Sequence, residues 1–350
     1  LHSDTHSFPT RRSSDLISPD QAVEEIRAKS VVMATGCRER TDRQVLLHGD
    51  RPAGIFTAGQ VQRLINIDGM LPGRRAVILG SGDIGLIVAR RLTLEGASVA
   101  GVYEFRANPT GLARNVAQCL EDWEIPLRLR TTVTEVHGRD RIHAVTVCPV
   151  EEAGSPLRDK GQMVPCDTLV ISVGLIPEND LLVDAGAAMD PRTGGPPVNQ
   201  RRETEMPGLF VCGNAAMVYD LVDYVSECGS IAGAAAAIHA SSVHADTGTT
   251  TVAGEGGEIP VEAGAGIAQV VPQRLDPADV EPPVFYLRLL DRADRAEVCF
   301  GQGADPPHRI AVRYVRPAEM VRHQISPEIW QAVRAGREPL VVSVEARDGA

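Results

Sequence analysis

No two of the seven cysteines (Cys37, Cys119, Cys148, Cys166, Cys212, Cys228 and Cys299) form a C-x-x-C pair or stand at zinc-ligand spacing. That excludes a local dithiol centre, and no metal site is expected. An odd, scattered set points instead to reduced thiols, buried as small apolar side chains in a cytoplasmic protein. A basic excess is also missing. The formal net charge is −11, which argues against a nucleic-acid partner. No apolar run approaches the ~20 residues that a membrane helix needs, so no membrane span is expected. Aromatic residues make up only 4% of the 350-residue chain, against 43% hydrophobic overall, so its cores must be mostly aliphatic. The length allows two or three domains.

A native-looking start is missing as well. Residues 1–16 begin with Leu1, lack helical or strand period, and have no apolar stretch of the kind a signal peptide carries. They resemble translated adapter sequence and are read as an artefactual or disordered tail, with the natural chain expected to continue upstream. From 17 to 29 an acidic–basic helix is expected, started by Ser18-Pro19-Asp20. Val31-Val32-Met33 is a short strand leaving through Ala34-Thr35-Gly36. Residues 37–54 are loop-like, and 58–68 have helical spacing.

From residue 74 to 185 strands and helices alternate, which is the pattern of an α/β layer. Ala76-Val77-Ile78-Leu79 is a continuous apolar strand of the kind buried on both faces of a parallel sheet. It runs into Gly80-Ser81-Gly82-Asp83-Ile84-Gly85, and a helix follows to about Leu94. In such a turn the first glycine makes the bend, the second admits a pyrophosphate and the third lets helix and strand pack closely. The helix N-terminus offers N–H groups and a positive dipole end to phosphate. A second strand ends at Glu104, 24 residues after Gly80. A carboxylate there is placed to accept ribose hydroxyls, which favours NAD over NADP. Arg106 pulls the other way, because it can pair a 2′-phosphate. Residues 112–123 are expected to be helical, and Arg114 and Asn115 either contact a cofactor or partner or lie on a solvated face. Strands follow within 131–150 and at 169–173.

Leu209-Phe210-Val211-Cys212 is another buried strand. It leads through Gly213-Asn214 to an Ala/Gly-rich helix from about Leu221 to Ala240. Residues 244–266 have the composition of a linker. Residues 267–345 carry short β-rich runs and predict a small all-β domain.

In order and spacing these stretches resemble the FAD/NAD(P)-binding oxidoreductases of the pyridine nucleotide-disulfide oxidoreductase superfamily. The resemblance is nearest to a group found beside glycerol-3-phosphate-dehydrogenase-like proteins, and more distant to the flavin subunits of opine oxidase and hydrogen cyanide synthase. It rests on Ala34–Arg40, Leu79–Leu86, Gly111–Asn115, Ser172–Asn179, Pro207–Asn214, Asp220–Glu227, Val270–Gln273 and Arg316–Met320.

It implies an α/β fold with two dinucleotide-binding domains, Rossmann-like, plus the C-terminal β domain. FAD would lie across residues 17–73 and 186–243, against Ala34, Thr35, Gly36, Gly213, Asn214 and Leu221. NAD(P) would lie on an inserted domain, 74–185, against Gly80, Gly82, Asp83, Ile84, Gly85, Glu104, Arg106 and Gly174. The glycine turn expected to hold the FAD pyrophosphate does not precede Ala34, so the first FAD βαβ unit is read as missing. Asn214 stands where the wider superfamily has Asp, and its amide can accept the same bond without charge.

The implied activity is hydride or electron transfer between nicotinamide, flavin and a partner dehydrogenase subunit or small acceptor. The cofactor carries that reactivity, so few acid–base side chains are needed. Candidates are Cys37 and the helix-spaced Asp220, Asp223, Tyr224 and Glu227. The acids among them equally suit the first turns of a helix. Two alternatives remain open at this point: a non-catalytic electron-transfer or scaffold subunit, and a flavin-free NAD-dependent dehydrogenase.

Overall fold

In a computed structural model of the chain, the structure describes residues 13–18, 22–242, 257–303, 308–336 and 338–347. The chain divides into two units, one of residues 1–37 and 177–350, the other of residues 38–176.

The second unit is built on a five-stranded sheet in the spatial order Ile55–Thr57, Thr168–Ile171, Arg75–Leu79, Ser98–Tyr103 and Leu127–Arg128. Every neighbouring pair in it is parallel. The apolar run in Arg75–Leu79 has its cause here, since both faces of the strand are covered. Ala76 and Ile78 pack on one side against Leu86, Val88, Ala89 and Leu92 of the helix Asp83–Leu94, and against Val61 of the helix Ala58–Asn66. Val77 and Leu79 face the other way, toward Val133, Val136 and Val145. Those three belong to a second, four-stranded sheet ordered Gln162–Pro165, Ala144–Pro149, Thr131–His137 and His48–Gly49. At about 25 cal/mol per Å² of apolar area, burying a strand on both sides outweighs the intrinsic preferences of its residues. The helix Ala58–Asn66 is started by a capping box between Thr57 and Gln60.

The first unit pairs Val31–Met33 in parallel with Leu209–Val211. The helix Val222–Ser242 buries Cys228, Ala232, Ala235 and Ala236 in the same core as Phe210 and Val211. In the same unit a five-stranded sheet runs Arg274–Leu275, Ile259–Ala263, Leu340–Ala346, Ala293–Gln302, His308–Val315, and a three-stranded sheet runs Ile267–Val271, Val284–Leu289, Val321–Gln324. Their shared core holds Phe285, Phe300 and Trp330. Among the described residues no helix is long and apolar enough to cross a membrane, and no cluster of metal-ligating side chains occurs.

Several expectations are corrected. The helix expected over 17–29 is an antiparallel hairpin, Ser13–Ser18 with Ala22–Arg27, which also takes up residues 13–16 of the supposed tail. Its register sets Ile17 opposite Val23 and Ser14 opposite Ile26, and β-branched residues favour strand. The loop-like stretch 37–54 contains the short strands Cys37–Glu39 and His48–Gly49. Residues 38–73 fall in the unit of residues 38–176 rather than with residues 186–243, because Ile55–Thr57 is an edge strand of its parallel sheet. Residues 177–185, in turn, fall in the first unit. The expected linker 244–266 lies outside the described residues up to 256, and beyond that it contains the strand Ile259–Ala263. The expected C-terminal β strands are present, and the helix Pro327–Gly336 packs Trp330 and Val333 into their core. The β domain is not a separate module, since its Val271, Tyr286 and Met320 share a core with Phe210 and Cys228.

Candidate functional site

The three glycines of the turn do different jobs. Gly80 sits at φ +96°, and a Cβ there would lie 2.0 Å from the carbonyl oxygen of Ser172. Its N–H donates to Tyr103 O at 2.8 Å, tying the first strand to the second. A Cβ on Gly85 would meet the Ser172 side chain at 2.8 Å. Both glycines are therefore required by the chain's own packing. Gly82 is not. A Cβ there would meet nothing closer than 3.7 Å, and its backbone (φ −64°, ψ 157°) suits any residue. The open space beside Gly82 is a cradle that a side chain would fill.

Gly82 is also the N-cap of the helix Asp83–Leu94, and no side chain caps that end. The first intrahelical bond runs from Leu86 N to Gly82 O at 3.1 Å, so the N–H groups of Asp83, Ile84 and Gly85 precede the helical ladder. Such an N-terminus favours an anion. The residues present fit a dinucleotide pyrophosphate.

Around the turn, side chains hold a covering loop. Asp83 Oδ1 accepts from Leu112 N at 2.8 Å and from Asn115 Nδ2 at 2.6 Å. Asn115 therefore ties the helix Ala113–Cys119 to the turn rather than lying free, while Arg114 is exposed. Gly111 passes so close that a Cβ would lie 2.8 Å from both Ser81 O and Leu86 Cδ1. Glu104 is 5% exposed, and its carboxylate is already engaged. Oε2 accepts from Ser81 N at 2.9 Å and Ser81 Oγ at 2.5 Å, and Oε1 accepts from Arg106 N at 2.9 Å. The carboxylate expected to face the ribose is thus held in place from within the chain. Arg106 has an exposed side chain. Gly174 adopts φ +100° with open space about it, and its carbonyl accepts from Arg40 N at 3.1 Å.

In the first unit the two expected flavin-side fragments come together. Cys212 N donates to Met33 O at 3.0 Å, continuing the parallel pairing. Asn214 Nδ2 donates to Cys37 Sγ at 3.3 Å, and Asn214 Oδ1 accepts from Tyr219 N at 3.0 Å. Thr35 Oγ1 donates to Glu178 O at 2.6 Å, and Glu178 N to Gly36 O at 2.9 Å. Gly36 (φ +74°) has no atom within 4 Å of a would-be Cβ, and Ala34 is exposed. Gly213 (φ +61°) approaches Val225. Leu221 O accepts from Tyr224 N and opens the long helix. Small residues and an open backbone fit the approach of a flat cofactor here too.

The acidic candidates are mostly spent elsewhere. Asp220 accepts from Arg288 and, at 2.7 Å, from Met320 N. Glu227 accepts from Arg322 and from the Tyr286 hydroxyl. Arg322 is the main cause that holds the Glu227 carboxyl down at about 2. Tyr224 packs edge-on against Tyr286, with ring centroids 5.6 Å apart, and Asp223 is exposed. These residues join the long helix to the β strands. Sequence reasoning missed Ser81, Thr110 and Ser172 around the turn. It also missed Arg202, a fully buried side chain at φ +68° whose guanidinium lies 5.4 Å from the Tyr286 ring. Only Ser81 carried a signal, its place inside the glycine turn.

Residues 7–237, well over half of the chain, match the model of the family described as pyridine nucleotide-disulphide oxidoreductase. The chain belongs to that family. It is 28% identical over 186 residues to the HcnB component of hydrogen cyanide synthase from Pseudomonas protegens, covering 49% of this chain and 39% of that protein. It is 22% identical over 242 residues to an opine oxidase subunit from Agrobacterium tumefaciens, covering 65% and 47%. Among solved structures it is similar in fold to the thioredoxin reductase of T. acidophilum, with a TM-score of 0.50 and 23% identity over 63% of this chain and 70% of that one. The chain thus spans less than half the length of these two curated relatives.

Proposed function

We propose that this chain forms the nicotinamide-binding part and a portion of the flavin-binding part of an FAD-dependent NAD(P)H oxidoreductase. The observation that carries the reading is the cradle at Gly82 beside an uncapped helix N-terminus. NAD(H) is the favoured dinucleotide, because the buried Glu104 carboxylate opposes a 2′-phosphate. Bound together, nicotinamide and flavin supply hydride exchange; the chain's own residues bind, orient and shield them. Gly80, Gly82, Asp83, Ile84 and Gly85 receive the pyrophosphate, with Glu104, Arg106 and Gly174 about the rest of the dinucleotide. Ala34, Thr35, Gly36, Gly213, Asn214 and Leu221 border the flavin. The family membership and the paired flavin-side fragments support this second assignment.

The electrons pass to a partner dehydrogenase subunit or a small acceptor, in the cytoplasm. Two relatives whose names mark them as subunits support a partner. Reconstitution with FAD followed by NADH titration tests the reading. A flavin absorbance bleached by NADH is expected. Colourless protein that binds NADH would point to a flavin-free dehydrogenase, and bound flavin inert to NADH would point to an electron-transfer subunit.

A further inference from the structure

One hydroxyl closes the loop after the second strand over the glycine turn. Ser81 is fully buried. Thr110 N donates to Ser81 Oγ at 2.9 Å, and Ser81 Oγ stands 2.5 Å from Glu104 Oε2. A serine hydroxyl has a single proton, and with its oxygen receiving the Thr110 amide that proton points at the carboxylate. Ser81 N donates to the same oxygen, and Thr110 Oγ1 stands 3.4 Å from it. Arg106 N holds Oε1. Glu104 therefore has no other orientation that keeps its donors, and swinging it aside would strand several buried N–H and O–H groups. Leaving buried donors unmade is costly. A glutamate free to swing would clear the way for Arg106 to pair a 2′-phosphate; a locked one holds negative charge against it.

We propose that Ser81 is a specificity-determining positioning residue: through the Thr110–Ser81–Glu104 chain it fixes the carboxylate so that an unphosphorylated ribose is accepted and a 2′-phosphorylated ribose is refused. The proposal rests on the reading of Gly80–Gly85 as the dinucleotide site. It makes the serine inside the turn, not the carboxylate alone, the determinant of coenzyme choice.

The test is equilibrium binding of NADH and of NADPH to the chain, followed by fluorescence, with thermal melting as a control. Wild type is expected to prefer NADH. Ser81→Ala should narrow the NADH:NADPH affinity ratio about tenfold, the size of one charge-assisted hydrogen bond. Ser81→Thr, which keeps the hydroxyl, should restore it. Ser81→Gly serves if the alanine variant melts early. In a Glu104→Ala background, Ser81→Ala should change the ratio no further. Equal weakening of both dinucleotides with the ratio unmoved, or a further shift in the Glu104→Ala background, overturns the proposal and leaves the site standing. Failure of wild type to bind either dinucleotide overturns the site and the proposal with it.

Discussion

Arg322 grips both carboxylate oxygens of Glu227, its Nε lying 2.7 Å from Oε2, while the Tyr286 hydroxyl donates to the same group. The three side chains sit on the strand Val321–Gln324, the helix Val222–Ser242 and the strand Val284–Leu289. The pairing thus fastens the start of the helix to the three-stranded sheet. A bidentate pair of this kind is stronger than an ordinary surface ion pair. It is about a third exposed on each side, so screening reduces its worth.

A pH dependence follows from this pair. With the folded-state pKa of Glu227 depressed to about 2, its contribution is present above the ordinary carboxylate range and is lost as pH falls toward 2. Glu227→Gln should cost about 1 kcal/mol at pH 7. The difference from wild type should fade between about pH 5 and about pH 2, the window set by the unfolded and folded pKa values. Urea unfolding across that range is the check. A difference that stays constant with pH would show that the carboxylate's charge contributes nothing.

The glycine turn separates folding from binding. Gly80→Ala forces a Cβ onto the Ser172 carbonyl at positive φ and should destabilise by about 3 kcal/mol or more. Gly82→Ala meets no protein atom closer than 3.7 Å, so stability should change by less than about 1 kcal/mol. It should nevertheless weaken NADH binding about tenfold or more, because the new methyl fills the pyrophosphate cradle. Paired melting curves and NADH titrations measure both. A Gly82→Ala variant that binds NADH normally would remove the turn's assigned role.

Much of the second unit was legible in the sequence because its signals are local. The apolar strand before Gly80, the glycine spacing and the helix to Leu94 all depend on near neighbours. The parallel pairing of Val31–Met33 with Leu209–Val211 joins segments far apart in the chain, and only the resemblance linked them. Asp220 and Glu227 looked available because their partners Arg288 and Arg322 lie 68 and 95 residues away. Long-range pairing is invisible to helical spacing. In place of the helix expected over 17–29 stands the pairing of Ser13–Ser18 with Ala22–Arg27, a register between two strands that a helix-start signal does not reveal.

Asp83 anchors the loop over the turn, so its loss should be felt at the loop rather than in the helix it begins. Asp83→Ala leaves the Leu112 amide and the Asn115 side chain without their acceptor and should cost about 1–3 kcal/mol. Asn115→Ala removes one bond and should cost about 1 kcal/mol. Hydrogen exchange read at the Leu112 amide should accelerate strongly in the first variant and little in the second. Equal protection in both would place the anchor elsewhere.

Arg202 offers the reverse prediction, a substitution that stabilises. Its guanidinium is fully buried, and its three nitrogens meet no oxygen acceptor among the described residues. Around it stand Tyr219, Cys228 and Tyr286. Burial pushes both tyrosines up, so they remain neutral phenols at pH 7 and supply no counter-charge. The contact with the Tyr286 ring returns about 2 kcal/mol at best. Among the described residues the Glu227 carboxylate is the one counter-charge that the Arg202 field reaches, and only the Cys228 thiol stands as a side-chain partner. Desolvating a cation that no acceptor oxygen meets still costs several kcal/mol, so the cost is larger. Arg202→Met keeps the length and apolar body of the side chain while removing the charge, and should raise the unfolding free energy by about 1 kcal/mol or more. Urea midpoints at pH 7 decide it: a loss of stability of that size would mean that the cation is satisfied in the folded protein and helps to hold the tyrosine cluster together.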